Sequence, residues 1–246
     1  PDWVIEPFLD RGDRMLIVAQ PGAGKTVFMR QMACASAAGV NPFLLCEMKP
    51  VNTLTVDLEN PEAILRRSAA RLDRMARLSY LHDPDRGAVW HEPAGIDIRS
   101  RAGFDAFDAM VATTRPELVC VGPLYKMFRK LHGESDEEAA LDVLARLDDL
   151  RGRHEFALVI EHHAPHGQEL RPFGSSVLQR WPEFGPAFVI PSGGNRSRLT
   201  WSEWRGPREV RPWPREIVHG TADAWPWIAL WDDGKRPETG PRQETF

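Results

Sequence analysis

The sequence predicts an α/β domain with a mostly parallel, twisted sheet flanked by helices. Short runs of β-branched and apolar residues alternate with longer helical patterns, as they do in βαβ units. The chain has 246 residues, which is enough to bury one large core. Apolar residues make up 42% and charged residues 27%, ordinary values for a globular protein.

Strands and helices are predicted to follow one another along most of the chain. Strands are predicted over residues 15–19, 53–57, 118–121, 156–160 and 187–190. Helices are predicted over residues 25–38, 61–78, 104–114 and 135–153. Pro61 suits a first helical turn, and the Ser-Asp-Glu-Glu run from residue 135 is close to a capping box.

The composition and the residue pattern change near the C-terminus. Tryptophans among polar residues from residue 198 onward predict antiparallel edge strands or a hairpin. We expect one domain over residues 1–219, followed by a Trp- and Pro-rich extension over residues 220–246 that is partly disordered. The sequence begins at Pro1 rather than Met, which suggests either an excised domain or a disordered start that is missing from this sequence.

Composition excludes several classes of protein. The net charge of −4 creates no global positive field, so any contact with nucleic acid must come from a local patch. Three cysteines without CxxC spacing argue against a disulfide framework or a zinc site and favour the reducing cytoplasm. No apolar run approaches the roughly 18 residues that a membrane span requires. We therefore expect a cytoplasmic protein without a membrane partner.

A glycine-containing loop lies between the first predicted strand and the first predicted helix. It runs Ala19, Gln20, Pro21, Gly22, Ala23, Gly24, Lys25 and Thr26. The glycines permit a turn whose backbone N–H groups converge on phosphate oxygens; Lys25 would reach the β- and γ-phosphates, and the Thr26 hydroxyl would bind Mg²⁺. The usual first glycine is Ala19 here, and the alternative is a chance Gly/Lys turn. The flanking strand and helix favour a nucleotide site, which we expect to bind ATP with Mg²⁺.

Several motifs that follow this loop in the chain resemble the RecA-like core of hexameric replicative helicases. They resemble in particular the RepA-type branch that is common in plasmids and phages. The resemblance covers about residues 3–215. The stretch over residues 56–61 matches the strand end that carries the family's catalytic glutamate. The resemblance implies that Glu59 activates the attacking water, a role that phosphoryl transfer requires of a carboxylate. The alternative is a solvated carboxylate that caps the next helix.

The strand over residues 118–124 resembles the Walker B strand. The family has an aspartate where this chain has Gly122, and glycine cannot hold Mg²⁺. The metal ligands that we expect are therefore Thr26 and, from the adjacent strand, Asp57. This departure from the family bears on the hydrolysis rate more than on nucleotide binding.

Two further segments resemble parts of the family's site that respond to the γ-phosphate. Residues 159–163 resemble the sensor strand, which implies that role for His162 first and His163 second, or a structural histidine pair. Residues 203–207 resemble the segment that inserts an arginine into a neighbouring subunit, which implies Arg205 as the finger. The alternatives to Arg205 are Arg198, Arg208 and Arg211, or a basic strand edge that blocks edge-to-edge pairing.

The resemblance also implies a channel that contacts single-stranded DNA. The segment after the Walker B strand would supply Lys126, Arg129 and Lys130, and the loop after the sensor would supply His166 and Arg171. Clustered cations can bind phosphates. A solvated basic face is the alternative for the first segment.

The residues and the resemblance together predict an ATP-binding homo-oligomer, a hexameric ring by resemblance. It would act as a DNA helicase or translocase in plasmid or phage replication. One alternative is a nucleotide-binding assembly or regulatory module that hydrolyses weakly because of Gly122. Another is a RecA-like recombination or accessory ATPase that binds DNA without unwinding it.

Overall fold

The structure is a computed structural model. It describes residues 1–163, 178, 180–189, 196–204, 211, 213–214, 216–232 and 236–237, with 184–189 and 196–204 described by their backbone. The strands are β1 (Trp3–Ile5), β2 (Leu9–Asp10), β3 (Arg14–Ala19), β4 (Thr53–Asp57), β5 (Gly87–His91), β6 (Leu118–Gly122), β7 (Ala157–His163), β8 (Phe184–Val189), β9 (Arg196–Trp204), β10 (Glu216–His219) and β11 (Trp227–Leu230). The α-helices are α1 (Lys25–Ala37), α2 (Glu62–Ala76), α3 (Arg101–Thr114) and α4 (Asp136–His154).

A nine-stranded sheet runs through the domain in the order β11-β10-β9-β8-β3-β7-β6-β4-β5. The strands from β8 to β5 pair in parallel, and β9, β10 and β11 continue the sheet antiparallel. Both the mostly parallel sheet and the antiparallel C-terminal strands confirm the predicted fold class. Because parallel strands end at one edge, the C-terminal residues of β3, β4, β6 and β7 meet there.

The two faces of the sheet have separate cores. On one face, α1 packs Phe28 and Met32 against alternate strand residues such as Ile17 and Val159. On the other face, α3 and α4 pack against the remaining strand residues, which alternate with the first set, such as Ile160. Successive residues of a strand point to opposite faces. The face that a strand-end side chain occupies is therefore set by its position in this alternation.

The helix starts illustrate how local sequence fixes element boundaries. The Ser135 side chain accepts a hydrogen bond from the Glu138 backbone N–H, and the Glu138 side chain accepts one from Ser135, which completes the capping box at α4. Helix α3 begins at Arg101, earlier than residue 104, because the Ser100 side chain caps it by accepting from the Gly103 N–H. Helix α2 ends at Ala76, two residues before the predicted end.

Strand β5 and the β1–β2 hairpin were not predicted. Strand β5 lies at the edge of the sheet and pairs only with β4 among the described strands. An edge strand is half exposed, so its Gly-Ala-Val-Trp-His sequence has no long apolar run. The short β1 and β2 pair antiparallel with each other outside the main sheet.

The boundary that we predicted between residues 219 and 220 lies inside the β10–β11 hairpin. Strand β11 is the outermost strand of the main sheet, and Trp225 and Trp227 are buried. The sequence placed them in an extension outside the domain, because each tryptophan is buried by tertiary contacts and not by a local pattern. Residues 233–235 and 238–246 of the expected extension lie outside the described residues.

Candidate nucleotide-binding site

The phosphate loop connects β3 directly to α1. Its glycines Gly22 and Gly24 have φ values of 80° and 84°, a left-handed conformation that L side chains rarely adopt. The Ala23 N–H donates to the Gln20 carbonyl at 3.2 Å, which closes a tight turn. Helix α1 begins at Lys25, so its unpaired N-terminal N–H groups and dipole face the turn. This geometry is that of an anion-binding loop.

Strand β11 supports the loop from behind. A Cβ atom at Gly24 would lie 2.6 Å from Cζ2 of Trp227, so a glycine is required by space as well as by φ. The Gln31 side chain of α1 accepts from the Trp227 backbone N–H at 2.8 Å and donates to its carbonyl at 2.7 Å. The C-terminal hairpin is thereby fastened to the helix that carries Lys25.

Lys25 is buried at the base of the loop, with 4% of its surface exposed. Its Nζ atom lies 3.0 Å from Nδ1 of His163. Burial lowers the pKa of Lys25, and the nearby carboxylates of Glu161 and Glu59 oppose that shift. Among the described residues, no carboxylate pairs directly with Lys25. A phosphate group would supply the counter-charge that stabilises the ammonium form.

Glu59 follows the end of β4 and faces the same space as Lys25. Its Oε1 atom accepts from the Tyr125 hydroxyl at 2.6 Å, and its Oε2 atom lies 3.5 Å from Nε2 of His163. Burial and this hydrogen bond raise the pKa of Tyr125 to about 12, so the hydroxyl stays a donor. His163 thus connects the phosphate-loop lysine to the expected general base.

The structure brings His163, rather than His162, to Lys25. The two histidines are consecutive in β7 and therefore point to opposite faces. His162 is buried, and burial, His163 and Lys25 lower the pKa of His162 to about 4. Burial and Lys25 also lower the pKa of His163, so both rings are neutral near pH 7. Of the two residues predicted to sense the γ-phosphate, His163, the second choice, is thus the one in contact with Lys25.

Asp57, the predicted metal ligand, is already engaged by other groups. Its Oδ2 atom pairs with the Arg30 guanidinium of α1 in a short buried contact. Its Oδ1 atom accepts from the backbone N–H groups of Glu59 at 3.2 Å and Asn60 at 2.9 Å. Asp57 therefore joins β4 to α1 and holds the turn that carries Glu59, which leaves its oxygens little capacity for a metal.

Glu161 is a residue of the site that sequence reasoning missed. It pairs in register with Ile17 in β3, two residues before the loop begins. Its side chain is 0% exposed, and the Thr26 hydroxyl is close enough to its carboxylate to act as a hydrogen-bond donor. No other described group donates a hydrogen bond to either oxygen. Burial raises the pKa of Glu161, while the nearby Thr26 hydroxyl, Lys25 and Arg30 act in the opposite direction. A glutamate within an otherwise apolar buried strand was the signal available in the sequence.

Gly122, the position that lacks the Walker B carboxylate, faces Glu161. A Cβ atom at Gly122 would overlap Cγ of Glu161 and lie 2.8 Å from its Cδ. The Glu161 side chain thus occupies the space in which a side chain at Gly122 would project. The two positions belong to the adjacent strands β6 and β7.

The predicted DNA-contacting cations are only partly described. Lys126 lies in the 3₁₀ turn after β6, where its Nζ atom is 3.4 Å from the Pro93 carbonyl, and Arg129 and Lys130 are exposed beyond it. The site candidates His166, Arg171, Arg205 and the alternative Arg208 lie outside the described residues, as does the side chain of Arg198. Arg211, the remaining alternative to Arg205, pairs with Asp13 at 2.6 Å near the N-terminal hairpin.

The oxygen atoms of the side chains near the phosphate loop suit Mg²⁺, but they do not form a complete metal site by themselves. Across the described ranges, no three His, Cys, Asp or Glu side chains cluster as a metal site. Mg²⁺ in nucleotide sites is bound by one or two protein oxygens together with substrate phosphates and waters. The Thr26 hydroxyl and the buried carboxylate of Glu161 match that pattern.

No helix in the described part of the chain is both long and apolar enough to cross a membrane.

Comparison with known proteins agrees with this geometry. The sequence profile of the AAA domain family matches residues 1–169. No curated protein matches the chain. The fold is similar to that of a KaiC-like protein from the archaeon Pyrococcus horikoshii, with a TM-score of 0.63, 14% identity, and 93% of this chain and 94% of that chain covered. It is also similar to a second solved structure, an ATPase domain, with a TM-score of 0.61, 12% identity, and 89% of this chain and 86% of that chain covered.

Proposed function

The chain belongs to the AAA domain family, and we propose that it is a ring-forming ATPase that moves along single-stranded DNA in plasmid or phage replication. The observation that carries the proposal is the chain of contacts from Lys25 through His163 to Glu59. It joins a phosphate-binding cation to a carboxylate across 3.0 Å and 3.5 Å contacts. The RecA-like fold, shared with the KaiC-like protein and the solved ATPase domain, supports the same class.

Each residue in this series has a distinct role in the proposed reaction. Lys25 and the backbone N–H groups of the loop bind the β- and γ-phosphates, and Thr26 binds Mg²⁺, which would neutralise phosphate charge. Glu59 orients the attacking water and accepts its proton. His163 donates or accepts between Lys25 and Glu59, so a change at the γ-phosphate reaches the general base. We assign the sensor role to His163, with His162 as its buried neighbour.

The ring and the DNA track complete the proposal. The family resemblance implies that Arg205 reaches the nucleotide of the next subunit, so the site would be completed only in an oligomer, expected to be a hexamer. Strand β9 ends at Trp204, directly before this arginine. Lys126, Arg129 and Lys130 follow β6 at the same sheet edge as the loop, which favours coupling between DNA contact and hydrolysis. His166 and Arg171 remain the second predicted DNA contacts.

Two measurements on the purified chain test this function together. We expect single-stranded DNA to stimulate ATP hydrolysis, and we expect ATP with DNA to convert the protein into rings visible in particle images and by sedimentation. Duplex DNA of equal length is the matched control for stimulation. A protein that stays monomeric and shows no stimulation would contradict the proposal.

A weakly hydrolysing assembly or regulatory module is the second candidate, and Gly122 favours it. Turnover separates the two candidates, since the module binds ATP but converts it slowly at any DNA concentration. Substituting Gly122→Asp alone is a poor test, because a Cβ atom there overlaps Glu161. An accessory ATPase that binds DNA without unwinding would be distinguished by a strand-displacement assay.

A further inference from the structure

We propose that Glu161 supplies the metal-holding carboxylate of the nucleotide site, in place of the side chain that Gly122 lacks. The inference rests on the proposed ATP binding and assigns a role to a residue outside the resemblance. The carboxylate would bind Mg²⁺ or one of its waters, opposite the Thr26 hydroxyl. It would thus occupy the position of a Walker B aspartate while projecting from the adjacent strand.

The position of Glu161 in the sheet is the first observation that supports this role. Strand β7 lies between β3 and β6, so it separates the phosphate-loop strand from the Walker B strand. Val121 pairs with Ile160, which places Gly122 beside Glu161 at the sheet edge. Glu161 alternates with Ile160 and shares the face of Val159, where α1 and the loop lie. A carboxylate from either strand therefore reaches the same space in front of Thr26.

The two side chains compete for the same space. The Gly122 Cβ position overlaps Cγ of Glu161, so a residue larger than glycine at 122 requires the Glu161 side chain to move. The glycine and the glutamate are thus complementary in volume. An exchange of the carboxylate between neighbouring strands explains both the missing aspartate and the unexpected buried glutamate.

The surroundings of Glu161 indicate a cationic ligand. An ionised carboxylate that is 0% exposed is strongly disfavoured unless it takes up a proton or a cation approaches it. The Thr26 hydroxyl, by hydrogen bonding, and Lys25 and Arg30, by their charge, favour the ionised form of Glu161. Asp57 is already paired with Arg30 and accepts hydrogen bonds from two backbone N–H groups, so it is the less available of the two carboxylates. A divalent cation held with Thr26 would provide the counter-charge that this carboxylate requires.

The test measures metal binding and not turnover. The probe is Mn²⁺ titrated by electron paramagnetic resonance into protein saturated with ADP, with ADP affinity in EDTA measured alongside. We expect the near-isosteric Glu161→Gln to weaken Mn²⁺ binding by about 10-fold to 100-fold. ADP affinity in EDTA should not fall in parallel with the Mn²⁺ affinity, because Lys25 and the loop remain. Unchanged Mn²⁺ affinity in Glu161→Gln would overturn the inference.

A reciprocal exchange keeps the test valid if single variants are unstable. The double variant Gly122→Asp/Glu161→Ala moves the carboxylate back to β6, and we expect it to recover Mn²⁺ affinity relative to Glu161→Ala. The double variant Gly122→Ala/Glu161→Ala has the same Cβ atom without the carboxylate and should not recover it. Equal affinity in the two double variants would count against the inference. If the wild-type chain binds no ADP even in EDTA, the proposed function fails first.

Discussion

Lys25 has a buried ammonium group whose nearest described polar partner is a neutral imidazole. Such a group stabilises a bound triphosphate more than an exposed lysine would, because the phosphate replaces lost hydration in a site with little water. The same burial makes the residue irreplaceable, since no other described cation projects from the loop.

We therefore expect Lys25→Ala to lose ATP binding at micromolar concentrations. Isothermal titration calorimetry checks this result directly. The exposed Lys49 is the matched control, and Lys49→Ala should bind ATP as the wild-type chain does. Retained micromolar affinity in Lys25→Ala would place the phosphates elsewhere.

Glu59 is positioned from three sides, by Tyr125, by His163 and by the turn that Asp57 holds. We expect Glu59→Gln to leave ATP affinity intact and to slow hydrolysis by about two or more orders of magnitude, because an amide cannot accept the water proton. Single-turnover hydrolysis measures the chemical step.

Glu62→Gln is the control for this prediction, because Glu62 is exposed in the first turn of α2, three residues further along the chain. It should hydrolyse ATP at the wild-type rate. Equal turnover in Glu59→Gln would assign the general base to another residue.

At the scale of elements, the phosphate loop depends on a strand that is about two hundred residues away in sequence. Strand β11 places Trp227 against Gly24, and Gln31 ties the same tryptophan to α1. Part of the predicted C-terminal extension is therefore a structural part of the nucleotide site.

Gly24→Ala and Gly22→Ala separate the effect of space from the effect of φ. Both alanines must adopt a left-handed φ, which costs about 1 to 2 kcal/mol. Only Gly24→Ala also meets Trp227, and we expect a further loss of about 1 to 3 kcal/mol from overpacking. Urea unfolding without nucleotide gives the difference in free energy of unfolding. Equal losses would mean that the tryptophan moves aside freely.

The capping box of α4 shows an element boundary that local sequence decides. Ser135→Ala removes the acceptor of the Glu138 N–H, and we expect a loss of about 1 kcal/mol in free energy of unfolding. Ser135→Thr keeps a hydroxyl and should lose less. A loss as large in Ser135→Thr would show that the hydroxyl is not the source of stability.

At the scale of the whole molecule, the loop, Glu59, His163 and the basic segment after β6 all lie at the C-terminal ends of the parallel strands. The chain is acidic overall, with a net charge of −4, so the proposed DNA binding requires a local basic patch, for which this segment is one candidate. A single-stranded track would contact its exposed cations through phosphates, without base specificity.

Arg129→Ala tests this localisation. We expect it to weaken binding to single-stranded DNA equally for all sequences and to reduce the slope of log affinity against log salt by about 0.7. Fluorescence anisotropy at several salt concentrations measures both quantities. Arg67, exposed on α2, is the control, and Arg67→Ala should leave the slope unchanged. Identical slopes for both variants would move the DNA track away from this segment.

Much of the fold was predictable because its signals are local. The βαβ alternation, the glycine turn before Lys25 and the Ser135 cap each depend on φ preferences and hydrogen bonds within a few residues. Strand β5 escaped prediction because an edge strand lacks an apolar run, and Trp227 was assigned to an extension outside the domain because its partners are distant in sequence.

The sequence by itself determined the phosphate loop, the parallel sheet and Glu59 at a strand end, since each is written in consecutive residues. Tertiary structure alone decided that His163 contacts Lys25 and that Glu161 fills the space before Gly122. Those relations depend on which strands are neighbours and in which register. A shift of one residue turns a side chain to the other face, and the sequence does not record register between strands that are far apart in the chain.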